Sequence, residues 1–145
     1  MKTRHRRDSL KRFNPNYGAN KQMNSEVYAL RRKVINIIYK MNDQVQGKLP
    51  RVQVRVTDNG TGDCSRVLGT ATMGNAEIWI TEEAFKYDDK RLYHVVLHEL
   101  CHALFSTPHS TFCHLMAPAI PRYLDNSKAL KAFRSYAEQA GYKLA

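Results

Sequence analysis

The sequence predicts an α+β domain in which helices pack on one small sheet of three or slightly more strands, mixed or antiparallel. Three observations predict it. A long opening stretch places apolar residues at three- and four-residue steps. Three short apolar or alternating runs, separated by turn residues, follow it. Helical patterning returns over the last third of the chain. At 145 residues, with 43% hydrophobic and 25% charged residues, the chain has the length and balance of one soluble domain.

Residues 1–23 lack apolar periodicity and read as a basic, flexible N-terminal arm, which leaves 24–145 as a single domain. Asn24 or Ser25 caps a helix that continues to about Gln46. Its Val27, Leu30, Val34, Ile37, Ile38, Met41 and Val45 form one stripe, and Gly47 and Pro50 end it. Residues 51–56 alternate as a half-buried strand does, and the Asp58–Asp63 stretch is turn chemistry. Residues 66–72 and 76–80 read as two more strands, with a turn over Met73-Gly74-Asn75. Thr81 caps a short turn through Phe85. Asp88 or Asp89 caps a helix to about Phe105, a further helical stretch covers Phe112 to Met116, and a last helix spans roughly Ser127 to Ala140.

Charge and cysteine content narrow the function classes. The net charge is +10, and residues 1–21 hold seven Lys and Arg against one Asp. Such an arm suits DNA or RNA contact, because Lys and Arg displace the counterions condensed on phosphates. No apolar run approaches the roughly 18 residues of a membrane span, and no h-region follows the basic start, so neither a membrane partner nor a secretory signal is expected. Three cysteines, Cys64, Cys101 and Cys113, form no CxxC pair. They are expected to be small buried thiols in a reducing cytoplasm.

Five of the six histidines fall between residues 94 and 114. His98 and His102 are four apart on the predicted helix, so they share a face with Cβ atoms about 5–6 Å apart. Two imidazoles so placed can grip one Zn²⁺, while Glu99 is turned out of the ligand set by the helical repeat. In His98-Glu99-Leu100-Cys101-His102 the spacing therefore predicts zinc held by the histidines, with Glu99 as general base toward a zinc-activated water. A catalytic zinc takes three protein ligands and keeps one open position. The third is expected to be His109, with Pro108 turning the chain back, and His114 is the reserve. His94 stands roughly 12 Å along the axis from His102, too far to share the ion, and reads as packing or support. Tyr123, Tyr93 and His114 are the candidates for stabilising an oxyanion.

Leu97-His98-Glu99-Leu100-Cys101-His102-Ala103 resembles the active-site helix of SprT-like metallopeptidases, the group that includes Spartan and is related to the WLM proteases. His109-Ser110-Thr111-Phe112-Cys113-His114-Leu115-Met116 is similar to that group's second signature, with a His-to-aromatic spacing one shorter than usual and Ser110 where Gly is common. The similarity covers roughly residues 64–118. It implies a compact zincin-like domain that cuts protein or peptide substrates, in some relatives proteins attached to DNA, with His98, His102 and His109 as ligands and Glu99 as base. Segments that support the DNA-linked role in those relatives have no counterpart here. His109-Ser110-Thr111 with Leu115-Met116-Ala117-Pro118 is also similar to the third ligand and Met-turn of matrixin-type metzincins. That family places Gly where this chain has Phe105, so it ranks second.

The sequence thus supports a zinc metalloendopeptidase first. The alternative is a nucleic-acid-binding protein with a structural or catalytically silent zinc site. A structural site usually closes with four protein ligands, often cysteines, and no such cysteine set exists here.

Overall fold

The computed structural model describes residues 21–57, 68–86 and 88–145. Of the expected arm over residues 1–23, residues 1–20 lie outside them, as do the Asp58–Asp63 turn and Cys64, while residues 21–23 belong to a helix that starts before the expected cap at Asn24 or Ser25. Helix α1 spans Lys21–Asn42. Strands β1 (Gln53–Thr57), β2 (Gly69–Ala71) and β3 (Glu77–Thr81) follow. A 3-10 turn covers Glu82–Phe85, α2 spans Asp89–Phe105 and α3 spans Asn126–Gln139.

The sheet is mixed, with β3 in the centre. β1 runs parallel to β3, with Val54 opposite Ile78 and Val56 opposite Ile80, and β2 runs antiparallel, with Thr70 opposite Trp79. Alternation does the sorting. Val54, Val56, Ile78 and Ile80 are buried on one face with the helices. On the other face the Arg55 guanidinium lies over the Trp79 ring at 5.5 Å and its Nε is 3.4 Å from a Glu77 carboxylate oxygen.

Val34, Ile38 and Met41 of α1, Val96, Leu97 and Leu100 of α2, and Ala129, Phe133 and Ala137 of α3 complete one core. The periodic stripe seen in the sequence is the face α1 buries. The helix ends earlier than its pattern suggests, at Asn42 rather than Gln46. There the Asn42 Oδ1 accepts from the Leu49 N–H at 3.1 Å. Val45 then pairs with Leu144, while the Gln46 N–H donates to the Lys143 carbonyl at 2.8 Å. A partner a hundred residues away leaves no trace in local periodicity, so the pattern overran the helix.

Phe112 to Met116 is not helical. The Ser110 N–H donates to the Met116 carbonyl at 2.9 Å, closing a loop. Phe112 is fully exposed while Leu115 and Met116 are buried, so the segment has two anchors and no helical stripe. Thr81 precedes the 3-10 turn but does not cap it, since its hydroxyl donates instead to the Leu68 carbonyl at 3.2 Å.

Phe133 is completely buried and packs against Phe105, with ring centroids 5.3 Å apart. Phe133→Ala is expected to destabilise the fold by about 3–5 kcal/mol, read as a lowered urea midpoint with an unchanged m-value.

Candidate metal centre

Helix α2 is the axis of the site. Its N-terminus is capped by Asp88, whose carboxylate accepts from the Arg91 N–H at 3.0 Å. Leu92, Val95, Val96, Leu97, Leu100, Cys101 and Ala103 are all buried, so the helix is fixed around most of its circumference. Its C-terminal carbonyls, which have no partner within the helix, are claimed one by one. The Gly74 N–H donates to the His102 carbonyl at 2.9 Å and the Ala76 N–H to that of Ala103 at 3.2 Å. The Cys101 carbonyl accepts from the Thr107 N–H at 3.1 Å and from Ser106. Ser106 leaves the helix in the left-handed region at φ 53°, the turn glycine more often makes. Gly74 has φ +70°, and a Cβ there would stand 2.7 Å from the Ser106 hydroxyl oxygen. Only glycine lets the β2–β3 turn sit this close to the helix end.

This exit path sets the imidazoles. His102 Nδ1 lies 2.6 Å from the Thr107 carbonyl and His98 Nδ1 lies 2.7 Å from the Leu115 carbonyl. A carbonyl only accepts, so both rings must carry their proton on Nδ1 and present an unprotonated Nε2. These nitrogens are 3.2 Å apart, and His109 Nε2 is also 3.2 Å from that of His98. Two lone pairs cannot bond to each other, and the space between them could hold a cation. A tetrahedral ion with bonds of about 2.0–2.1 Å separates its donors by about 3.3 Å, and the His98–His102 and His98–His109 separations meet that condition as they stand. All three donor atoms lie within 4.8 Å of one another. Burial outweighs the carbonyl contacts and lowers both helix histidines below the usual range, His98 to about 4. Both are therefore neutral at neutral pH, the form that binds metal.

Glu99 is 7% exposed and lines the same cleft as His98 and His109. Strand β2 is tight against it: a Cβ at Gly69 would be 3.1 Å from the Glu99 Cγ. Burial raises the Glu99 carboxyl to about 8. The cleft is about 680 Å³, with Leu68 and Gly69 on one wall and the Ala117–Ile120 segment on the other.

The structure brings together His98, His102 and His109 and sets Glu99 beside them. His114 stands apart; its Nε2 accepts from the Asp125 N–H at 3.3 Å. Tyr123 is 78% exposed, and neither it nor Tyr93 lines the cleft. Cys101 is a buried free thiol, and Cys113 is a half-buried one that accepts from the Met116 N–H at 3.4 Å. His94, read from the sequence as packing or support, is buried and lines the cleft. Its place one turn before His98 was the available signal. The carbonyls of Thr107 and Leu115 left none, since backbone carries no side-chain signature.

The description of the YgjP-like metallopeptidase domain matches residues 2–133. The chain belongs to the YgjP-like metallopeptidase family. No curated protein and no solved structure gives a significant match. Membership in a YgjP-like metallopeptidase family implies a metal ion, and the three-histidine cluster could hold it. The small α+β fold is consistent with the SprT-like resemblance read from the sequence. No helix among the described residues is long and apolar enough to cross a membrane.

Two outcomes are expected for the isolated protein. Zinc should bind at one equivalent and raise the melting temperature, and His109→Ala should weaken uptake by at least about tenfold, as measured by chelator competition. The second concerns the metal-free protein. The unfolded chain ionises Glu99 near its ordinary value of 4.5, the folded chain only near 8. Stability from the buried neutral acid is complete below 4.5 and is lost as pH rises toward 8. Glu99→Gln should therefore melt above wild type by a margin that widens across that window; parallel curves would contradict it.

Proposed function

We propose that this chain is a zinc-dependent endopeptidase with a SprT-like site, in which His98, His102 and His109 hold the metal and Glu99 is the general base. The observation that carries the reading is the convergence of unprotonated imidazole nitrogens beside a buried carboxyl in an open cleft. Three nitrogen donors with room for a further ligand match catalytic rather than structural zinc. Bound there, the ion would polarise a scissile carbonyl and lower the pKa of water.

The chain's own groups do the rest. Ionised Glu99, the form that the charge of a bound cation would favour over the buried acid, takes a proton from the attacking water and returns it to the leaving amide nitrogen. Among the described residues strand β2 pairs with β3 on one side only, and Leu68 and Gly69 border the cleft. An extended peptide added along β2 would lie beside Glu99 and the histidines. The apolar Ala117–Ile120 wall would face its side chains.

The test is cleavage of β-casein by zinc-loaded protein. Glu99→Gln is expected to cut about 10²–10⁴-fold more slowly while keeping its zinc. Equal rates would end the reading.

The basic residues 1–21, net +6, support a second role in nucleic-acid contact, with DNA-associated proteins as one substrate class. Binding of the full chain to a DNA duplex should then fall steeply with salt and survive Glu99→Gln.

A further inference from the structure

Three of the five clustered histidines converge on one point, and the other two form a pair of their own. His94 and His114 meet edge to face, with ring centroids 5.3 Å apart and planes at 87°. His114 is held from behind, because its Nε2 accepts the backbone N–H of Asp125, the residue that caps α3. His94 is 2% exposed, and its Nδ1 is sealed from solvent with no hydrogen-bond partner among the described residues. A buried N–H without an acceptor is rarer and costlier than an unused lone pair. The proton of His94 therefore sits on Nε2, and Nδ1 is the empty lone pair. Burial, then His114 and Arg91, keep the ring neutral, with its pKa lowered to about 4.

The same ring lines the cleft shared by His98, Glu99 and His109. It lies outside the metal-holding triad, as the eight-residue separation from His102 requires. With Nδ1 sealed, the polar atom that His94 can offer to the cleft is an uncharged N–H donor. An extended peptide carries one backbone carbonyl acceptor per residue, and few other groups would match a neutral donor in a cleft walled by Val95 and Ile120.

We propose that His94 is a substrate-binding residue whose Nε2–H donates to a backbone carbonyl oxygen of the peptide lying over α2. This rests on the peptidase reading above. Because the donor is present before and during reaction alike, its removal raises KM more than it lowers kcat.

Three readouts decide it. In metal-free protein, long-range nitrogen–carbon NMR of the His94 ring should show the proton on Nε2. In zinc-loaded protein, His94→Phe should bind an N-acyl dipeptide hydroxamate about tenfold more weakly and raise KM on a casein peptide similarly. His94→Gln, which keeps an N–H near the same place, should recover most of the loss. Zinc uptake should stay at wild-type level in both variants. A proton on Nδ1, unchanged hydroxamate binding in His94→Phe, or a loss of zinc that His94→Gln does not repair would each overturn the proposal. Zinc-loaded wild type that cuts no casein would overturn the peptidase reading, whereas casein cleavage with unchanged hydroxamate binding and KM in His94→Phe would overturn this proposal alone.

Discussion

Two short hydrogen bonds, from His98 to the Leu115 carbonyl and from His102 to the Thr107 carbonyl, govern what this structure can do. They hold each ring in one rotamer and place each proton on Nδ1, so that both Nε2 lone pairs face one point. Partners of this kind commonly tune a metal ligand's basicity and orientation. Here both acceptors are main-chain atoms of the segment that also carries His109. One loop conformation thus orients two ligands and delivers a third.

The loop is held in turn by the end of α2. The two non-glycine residues with positive φ among those described, Ala76 and Ser106, both sit against the last carbonyls of that helix. Positions of this kind cost on the order of 1–3 kcal/mol each and persist only where the surroundings enforce them. Gly74, closing on Ser106, and the buried Thr107, Leu115 and Met116 provide that enforcement. Local backbone preference yields at the place where the imidazoles must be aimed.

Burial supplies the second constraint. It keeps His94, His98 and His102 neutral and keeps a proton on Glu99 well above the ordinary carboxyl range. The same desolvation acts in opposite directions on bases and acid, leaving ligands free of protons and the carboxyl able to carry one. Strand β2 contributes by proximity, since a Cβ at position 69 would press on the Glu99 Cγ at 3.1 Å. The exit from α2 at Ser106, not at Phe105, also separates this site from the turn a matrixin-type chain makes with glycine.

Much of this was legible in the residues themselves. Apolar spacing over Val34, Ile38 and Met41 located α1, alternation through Val54 and Val56 located β1, and Asp88 marked the start of α2, because these signals are local. The four-residue step between His98 and His102 put two imidazoles on one face for the same reason. What the chain order could not supply were contacts between distant segments: the Val45–Leu144 pairing that ends α1 early, the loop in place of a helix at Phe112–Met116, and the parallel register of β1 on β3. Sequence determined which groups could bind a metal. Only the tertiary structure decided where their lone pairs point, because backbone carbonyls far along the chain set the tautomer of each ring.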